Sequence, residues 1–168
     1  VELTSAVGPT WVERGQLVWR YRSCLLPPDS VVTAVRLRLL PADPASVLKE
    51  HRALLRQRRT TQPRGVRTFG SVFKNPPGQH AGRLLEAAGV KGVRRGGAEV
   101  SIVHANFIIN LGDATSGDVL ALMGLMRQAV YRTSGVMLEP EVKLLGASFP
   151  WEESPAVCDA ARADGDRS

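Results

Sequence analysis

Four segments of the 168-residue chain carry residue types able to do chemistry: Tyr21-Arg22, Gly70-Ser71-Val72-Phe73-Lys74-Asn75-Pro76, Gly96-Gly97-Ala98 with His104-Ala105-Asn106-Phe107, and Leu138-Glu139-Pro140-Glu141-Val142. A hydroxyl can deliver a proton when neighbouring groups stabilise the developing charge, and an arginine fork can hold a carboxylate through two hydrogen bonds. Each has an ordinary alternative. Ser71 reads equally as a turn serine after glycine, Arg22 as a surface-strand residue, Glu141 as an exposed strand acid and His104 as a histidine satisfied within the core.

Other chemistries are argued against by spacing. Cys24 and Cys158 are far apart and neither belongs to a C-x-x-C pair, which speaks against a disulfide framework or a cysteine zinc site. His51, His80 and His104 are too scattered for a metal cluster, so no metal is expected. With 43% hydrophobic and 23% charged residues the chain can bury a core. No apolar run approaches the roughly 18–20 residues that cross a bilayer, and Val1-Glu2-Leu3-Thr4 has no signal-peptide character, so a cytoplasmic location and no membrane partner are expected.

The net charge of +6 is concentrated. Between residues 49 and 67 lie Lys49, Arg52, Arg56, Arg58, Arg59, Arg64 and Arg67 against one acid, Glu50, which accounts for the whole excess. Such a strip attracts phosphates, whether of nucleic acid or of a small substrate, although a solvated helix face is the commoner meaning of a charge run. It lacks the interleaved aromatics and the motifs of nucleic-acid readers, so no nucleic-acid partner is expected.

The elements that must position these residues are mixed. Residues 31–40 read as a half-buried strand ended by Pro41, and Asp43 with Pro44 starts a helix whose apolar stripe is Val47, Leu48, Leu54 and Leu55. Residues 60–80 read as an extended loop, with a short strand about Val72-Phe73. A helix follows over 81–88, closed by Gly89, and a buried strand includes Phe107-Ile108-Ile109. Thr115 with Asp118 begins the clearest helix, whose stripe is Val119, Leu122, Met123, Met126 and Val130 and whose cap is Gly135. Residues 136–145 read as a strand broken by Pro140, and no dinucleotide or P-loop glycine motif is present. The pattern is that of an α+β chain.

In their order and spacing, the four segments resemble the UDP-N-acetylenolpyruvoylglucosamine reductase family from about Val18 to Gly146, most specifically in G-S-x-F-K-N-P and L-E-P-E-V. The resemblance implies an FAD-dependent, NADPH-driven reduction of UDP-N-acetylglucosamine enolpyruvate to UDP-N-acetylmuramate for peptidoglycan. It implies Ser71 as proton donor, Arg22 and Glu141 as stabilisers of the enolate-like intermediate, and Asn75 at the substrate. Lys74 and Arg59 are expected to meet the UDP diphosphate, His104 to line the substrate pocket, and Tyr21 to pack near flavin or nicotinamide, with an ordinary buried tyrosine as its alternative. The glycine before Ser71 is expected to give the backbone room beside a ligand.

The same resemblance implies a closing segment of the FAD-binding domain over 1–42, a substrate-binding domain over 43–147 and a disordered tail over 148–168. Cys24 stands where the family usually has serine and Leu26 where it has an aromatic, which bears on the surroundings of Arg22. The family's N-terminal FAD domain is not among these residues, so a partial enzyme, inactive alone, is expected, whether a truncated product, a partial sequence or one half of a split enzyme completed by a separate FAD-domain chain. A non-catalytic UDP-sugar-binding module and a basic nucleic-acid-binding protein are the alternatives.

Overall fold

A computed structural model describes residues 1–152 and divides into two compact units, Val1–Arg52 and the part from Ala53 onward. The first is built from short strands. β1 (Glu2–Ser5) pairs antiparallel with β2 (Gly8–Trp11) on one side and with β5 (Val31–Ala34) on the other, while β3 (Val18–Arg20) and β4 (Ser23–Leu25) form a separate hairpin. Among the described residues of this unit only Leu3 and Leu17 are buried. The strand expected over 31–40 stops at Ala34, because β1 offers it no partner beyond Glu2, and Val35, Leu37, Leu39 and Leu40 are exposed.

Helix α1 (Pro44–Thr61) begins where its capping residues require. The Asp43 carboxylate accepts from the Ser46 backbone N–H at 2.9 Å and from the Ser46 hydroxyl at 2.8 Å, which satisfies donors the first turn leaves open and holds this carboxyl below its ordinary range. Its expected apolar stripe forms but is not covered. Val47, Leu48, Leu54 and Leu55 are all exposed, as is every basic side chain of the 49–67 strip.

The second unit holds the core. Strands β6 (Arg67–Ser71), β7 (Arg94–Arg95), β8 (Ala98–Val100) and β9 (Phe107–Asn110) make an antiparallel sheet in the order β6-β9-β8-β7. Helices α2 (Ala81–Ala87) and α3 (Ser116–Ser134) pack together, with α3 also against β7 and β8. Leu122, Met123, Met126 and Val130 turn the same side of α3 inward, where they meet Val72, Phe73, Leu85, Val100, Ile108 and Leu138. Thr115 and Asp118 satisfy each other's backbone N–H groups in the expected capping box, and Gly135 closes the helix in the left-handed conformation. Across the β7–β8 turn, Arg94 pairs with the buried Glu99.

Two expectations are corrected here. Residues 136–145 do not form a strand; they make a single antiparallel bridge, Phe73 with Pro140, at the position that exchanges no hydrogen bonds, where proline's missing N–H costs nothing. Packed structure also continues past residue 147: Phe149 is buried in the core and its ring stacks on Trp151 with centroids 4.9 Å apart. The rest of the expected tail, residues 153–168, lies outside the described residues, as does Cys158.

Candidate functional site

Ser71 ends β6, and β6 is irregular just before it. Thr68 lies opposite Ile109 and Ser71 opposite Phe107, so one extra residue is inserted between them, a bulge that re-aims the side chains beyond it. Gly70 takes φ +91°, a conformation that L side chains rarely adopt. A Cβ built on Gly70 meets no protein atom within 4 Å, so what the fold itself asks of this glycine is its backbone angle.

The segment after Ser71 is clasped from two sides. Buried Asn106 accepts from the Phe73 N–H at 2.9 Å and donates to the Phe73 carbonyl at 2.8 Å, acting as a substitute strand partner. On the other side, the Lys74 N–H donates to the Glu139 carbonyl and the Glu141 N–H to the Val72 carbonyl, each at 2.9 Å. The L-E-P-E-V and G-S-x-F-K-N-P motifs are thus joined through their backbones, and Glu141 is bonded to the residue next to Ser71.

A cleft of about 500 Å³ is lined by Ser71, Asn75 and His104, together with Gln57, His80, Arg83 and others. Asn75 Oδ1 accepts from the Ala81 N–H at 3.0 Å, which anchors the start of α2 and leaves the amide Nδ2 with its donors to offer. His104 Nδ1 accepts from the Asn106 N–H at 3.1 Å, so the ring proton resides on Nε2, for which no described residue serves as partner. Burial holds the imidazole below its ordinary pKa; the Lys91 charge adds to this and Glu86 opposes it. The ring stands edge-on to Phe107, centroids 4.9 Å apart, and lies over Gly82, where a Cβ would come within 2.7 Å of it.

Two expected residues of the same unit do not line this cleft. Lys74 is ion-paired with Glu139, so its charge already has a partner. Arg59 is not on the cleft: α1 turns Gln57 toward it, and two residues later the helix has rotated by about 200°. Arg22 and Tyr21 belong to the Val1–Arg52 unit. They form the turn between β3 and β4, with Arg22 at φ +58° and its guanidinium 5.8 Å from the Tyr21 ring centroid. Arg22 is therefore a turn residue, and Tyr21, at 58% exposure, is not a buried tyrosine.

Sequence reasoning assigned no role to Gln57, His80 or Arg83, and only the fold brings them to Ser71. Asn106 belongs to the His104-Ala105-Asn106-Phe107 segment, and its bracing role arises only where the fold sets it beside the Phe73 backbone. The described residues do not by themselves form an FAD cradle. The Val1–Arg52 unit has no glycine loop leading into a helix and buries just two side chains. No group of three or more potential metal ligands occurs among the described residues, and no described helix is long and apolar enough to cross a membrane.

Residues 62–145, half of the chain, match the family model described as UDP-N-acetylenolpyruvoylglucosamine reductase, C-terminal domain. The chain belongs to this family. A protein of that name from Anaeromyxobacter dehalogenans (strain 2CP-C) is 49% identical over 165 residues, covering 98% of this chain and 50% of the relative. One from Myxococcus xanthus (strain DK1622) is 50% identical over 146 residues, covering 87% and 47%. The crystal structure of UDP-N-acetylenolpyruvylglucosamine reductase from Thermus caldophilus superposes with a TM-score of 0.75 at 36% identity, covering 84% of this chain and 50% of that one. The chain spans about half the length of the relatives it matches, and its matched domain is the α+β unit that carries the Ser71 cleft.

Proposed function

We propose that this reductase-family chain binds UDP-N-acetylglucosamine enolpyruvate in the Ser71 cleft and supplies the substrate-binding and proton-donating part of its reduction to UDP-N-acetylmuramate in peptidoglycan synthesis. One observation carries the reading: Ser71, Asn75 and His104, from motifs three decades of sequence apart, line one cleft. Reduction of an enolpyruvyl double bond adds hydride to one carbon and a proton to the carbon beside the carboxylate. Hydride delivery from NADPH by way of FAD belongs to protein outside the described residues, and the remaining steps are the chain's own.

In this reading the Ser71 hydroxyl gives its proton to the carbon that bears carbanion character. Serine is a weak acid, so the step depends on fixed geometry and on groups that stabilise the enolate-like intermediate and the resulting alkoxide. Arg22 and Glu141 are assigned to that stabilisation. The bulge and the Asn106 clasp hold Ser71 in place without spending its hydroxyl, and Asn75 Nδ2 orients the substrate.

Calorimetric titration of the chain with UDP-N-acetylglucosamine enolpyruvate tests the binding half, and heat of binding lost in Asn75→Ala is expected. Mixing the chain with the N-terminal half of a full-length relative tests the chemistry: substrate-dependent NADPH oxidation is expected, and Ser71→Ala abolishes it. No binding by the parent chain, or full turnover by Ser71→Ala, overturns the assignment.

A further inference from the structure

The cleft needs a cation for an anionic ligand, and the two expected from the sequence do not supply one there: Lys74 is matched by Glu139, and Arg59 is on another face of α1. Arg83 does line the cleft. Its side chain is exposed on α2 and the guanidinium has no ion pair or hydrogen bond to any described residue, while its backbone N–H donates to the His80 carbonyl at the start of the helix. The acid that lines the same cleft is Glu86, three residues along the helix, and its carboxylate is bound by Lys91 and held below its ordinary pKa chiefly by that hydrogen bond. The other polar groups lining the wall with Arg83 include two neutral donors, Asn75 Nδ2 and His104 Nε2–H.

We infer that Arg83 is the oxyanion anchor of this cleft, binding a phosphoryl or carboxylate oxygen of the ligand with Asn75 and His104 as flanking neutral donors. An uncommitted guanidinium beside neutral donors favours an acceptor-only, anionic group, and its planar fork suits the paired oxygens of phosphate and carboxylate alike. The neutral state of His104 matters to this arrangement, since a donor fixed by the Asn106 N–H needs no protonation to act. This inference rests on the proposed substrate reading and adds a residue that the motifs did not point to.

The test is titration of the parent chain, Arg83→Gln and Arg83→Lys with UDP-N-acetylglucosamine enolpyruvate and, separately, with UDP. Arg83→Gln is expected to weaken binding about 10-fold or more, as loss of a charge-assisted hydrogen bond does, with Arg83→Lys recovering part of it. Because the side chain is exposed and unpaired, the melting temperature is expected to stay at the parent value, and Arg95→Gln serves as a control that leaves affinity unchanged. Loss with both ligands assigns Arg83 to the diphosphate; loss with the enolpyruvyl ligand alone assigns it to the carboxylate. Equal affinities of parent and Arg83→Gln overturn the anchor and leave the substrate reading standing. Failure of the parent to bind either ligand overturns both.

Discussion

Asn106 holds both backbone groups of Phe73, its Oδ1 accepting at 2.9 Å and its Nδ2 donating at 2.8 Å, and it does so from the buried side of the segment that carries Ser71 and Asn75. An alanine at 106 leaves a buried N–H and a buried carbonyl without partners. Asn106→Ala is therefore expected to destabilise the chain by about 2–4 kcal/mol in urea unfolding. Asn106→Asp, which faces the Phe73 carbonyl with a second acceptor, is expected to do no better.

Gly82 and His104 are in close approach. A methyl group on Gly82 would stand 2.7 Å from the imidazole, so Gly82→Ala must push the ring off its place beside the cleft. The expected result is a stability loss of about 1–3 kcal/mol together with weakened ligand binding. Chemical shifts of the His104 ring protons report the displacement directly.

Gly70 makes the opposite kind of demand. Space is open around it, so Gly70→Ala is expected to cost about 1–2 kcal/mol through its positive φ alone. If thermal unfolding of Gly70→Ala matched the parent, the strained-backbone account of the turn into Ser71 would be wrong.

The imidazole of His104 should titrate below about 6.5, because burial disfavours its charged form and Lys91 adds to that effect. An unfolded chain then binds a proton at pH values where the folded chain does not. The stability contributed by neutral His104 is complete above about pH 6.5 and declines as the pH falls from there toward the folded value. His104→Gln is expected to flatten this part of the stability profile, and an NMR titration of the ring gives the folded value itself.

Local signals in the sequence were enough where an element satisfies itself. The Thr115–Asp118 capping box, the Gly135 cap and the one-sided stripe of α3 are set by spacing, and they stand where spacing puts them. The same argument applied to α1 found the helix but not its surroundings, since Val47, Leu48, Leu54 and Leu55 are exposed. Periodicity says that a helix has an apolar side and nothing about what meets it. The strand expected over 136–145 is cut short for a related reason: a ladder needs a partner that continues beside it, and this segment meets the Ser71 segment in one bridge, Phe73 with Pro140.

The candidate site was legible in part. Ser71, Asn75 and His104 were singled out from motifs, and the fold brings them to one cleft. Arg83 was not, because an arginine with a side-chain partner and one without look the same in a sequence, and Lys74, expected at the UDP diphosphate, is ion-paired with Glu139, 65 residues away. Arg22 and Glu141 belong to different units of the chain, and Arg22→Gln and Glu141→Gln in the mixing experiment are each expected to lower NADPH oxidation.

The extra residue between Thr68 and Ser71 means that the serine hydroxyl is addressed by counting. Side chains along a strand alternate between faces, so removing or adding a single residue in this stretch turns the hydroxyl to the opposite face, whatever the neighbouring side chains are. Evolutionary change at Phe69 can thus proceed by replacement, while a length change there silences the serine at once. Two chains that differ at positions 68 and 69 but share this length and keep the glycine and serine that follow can carry the same chemistry.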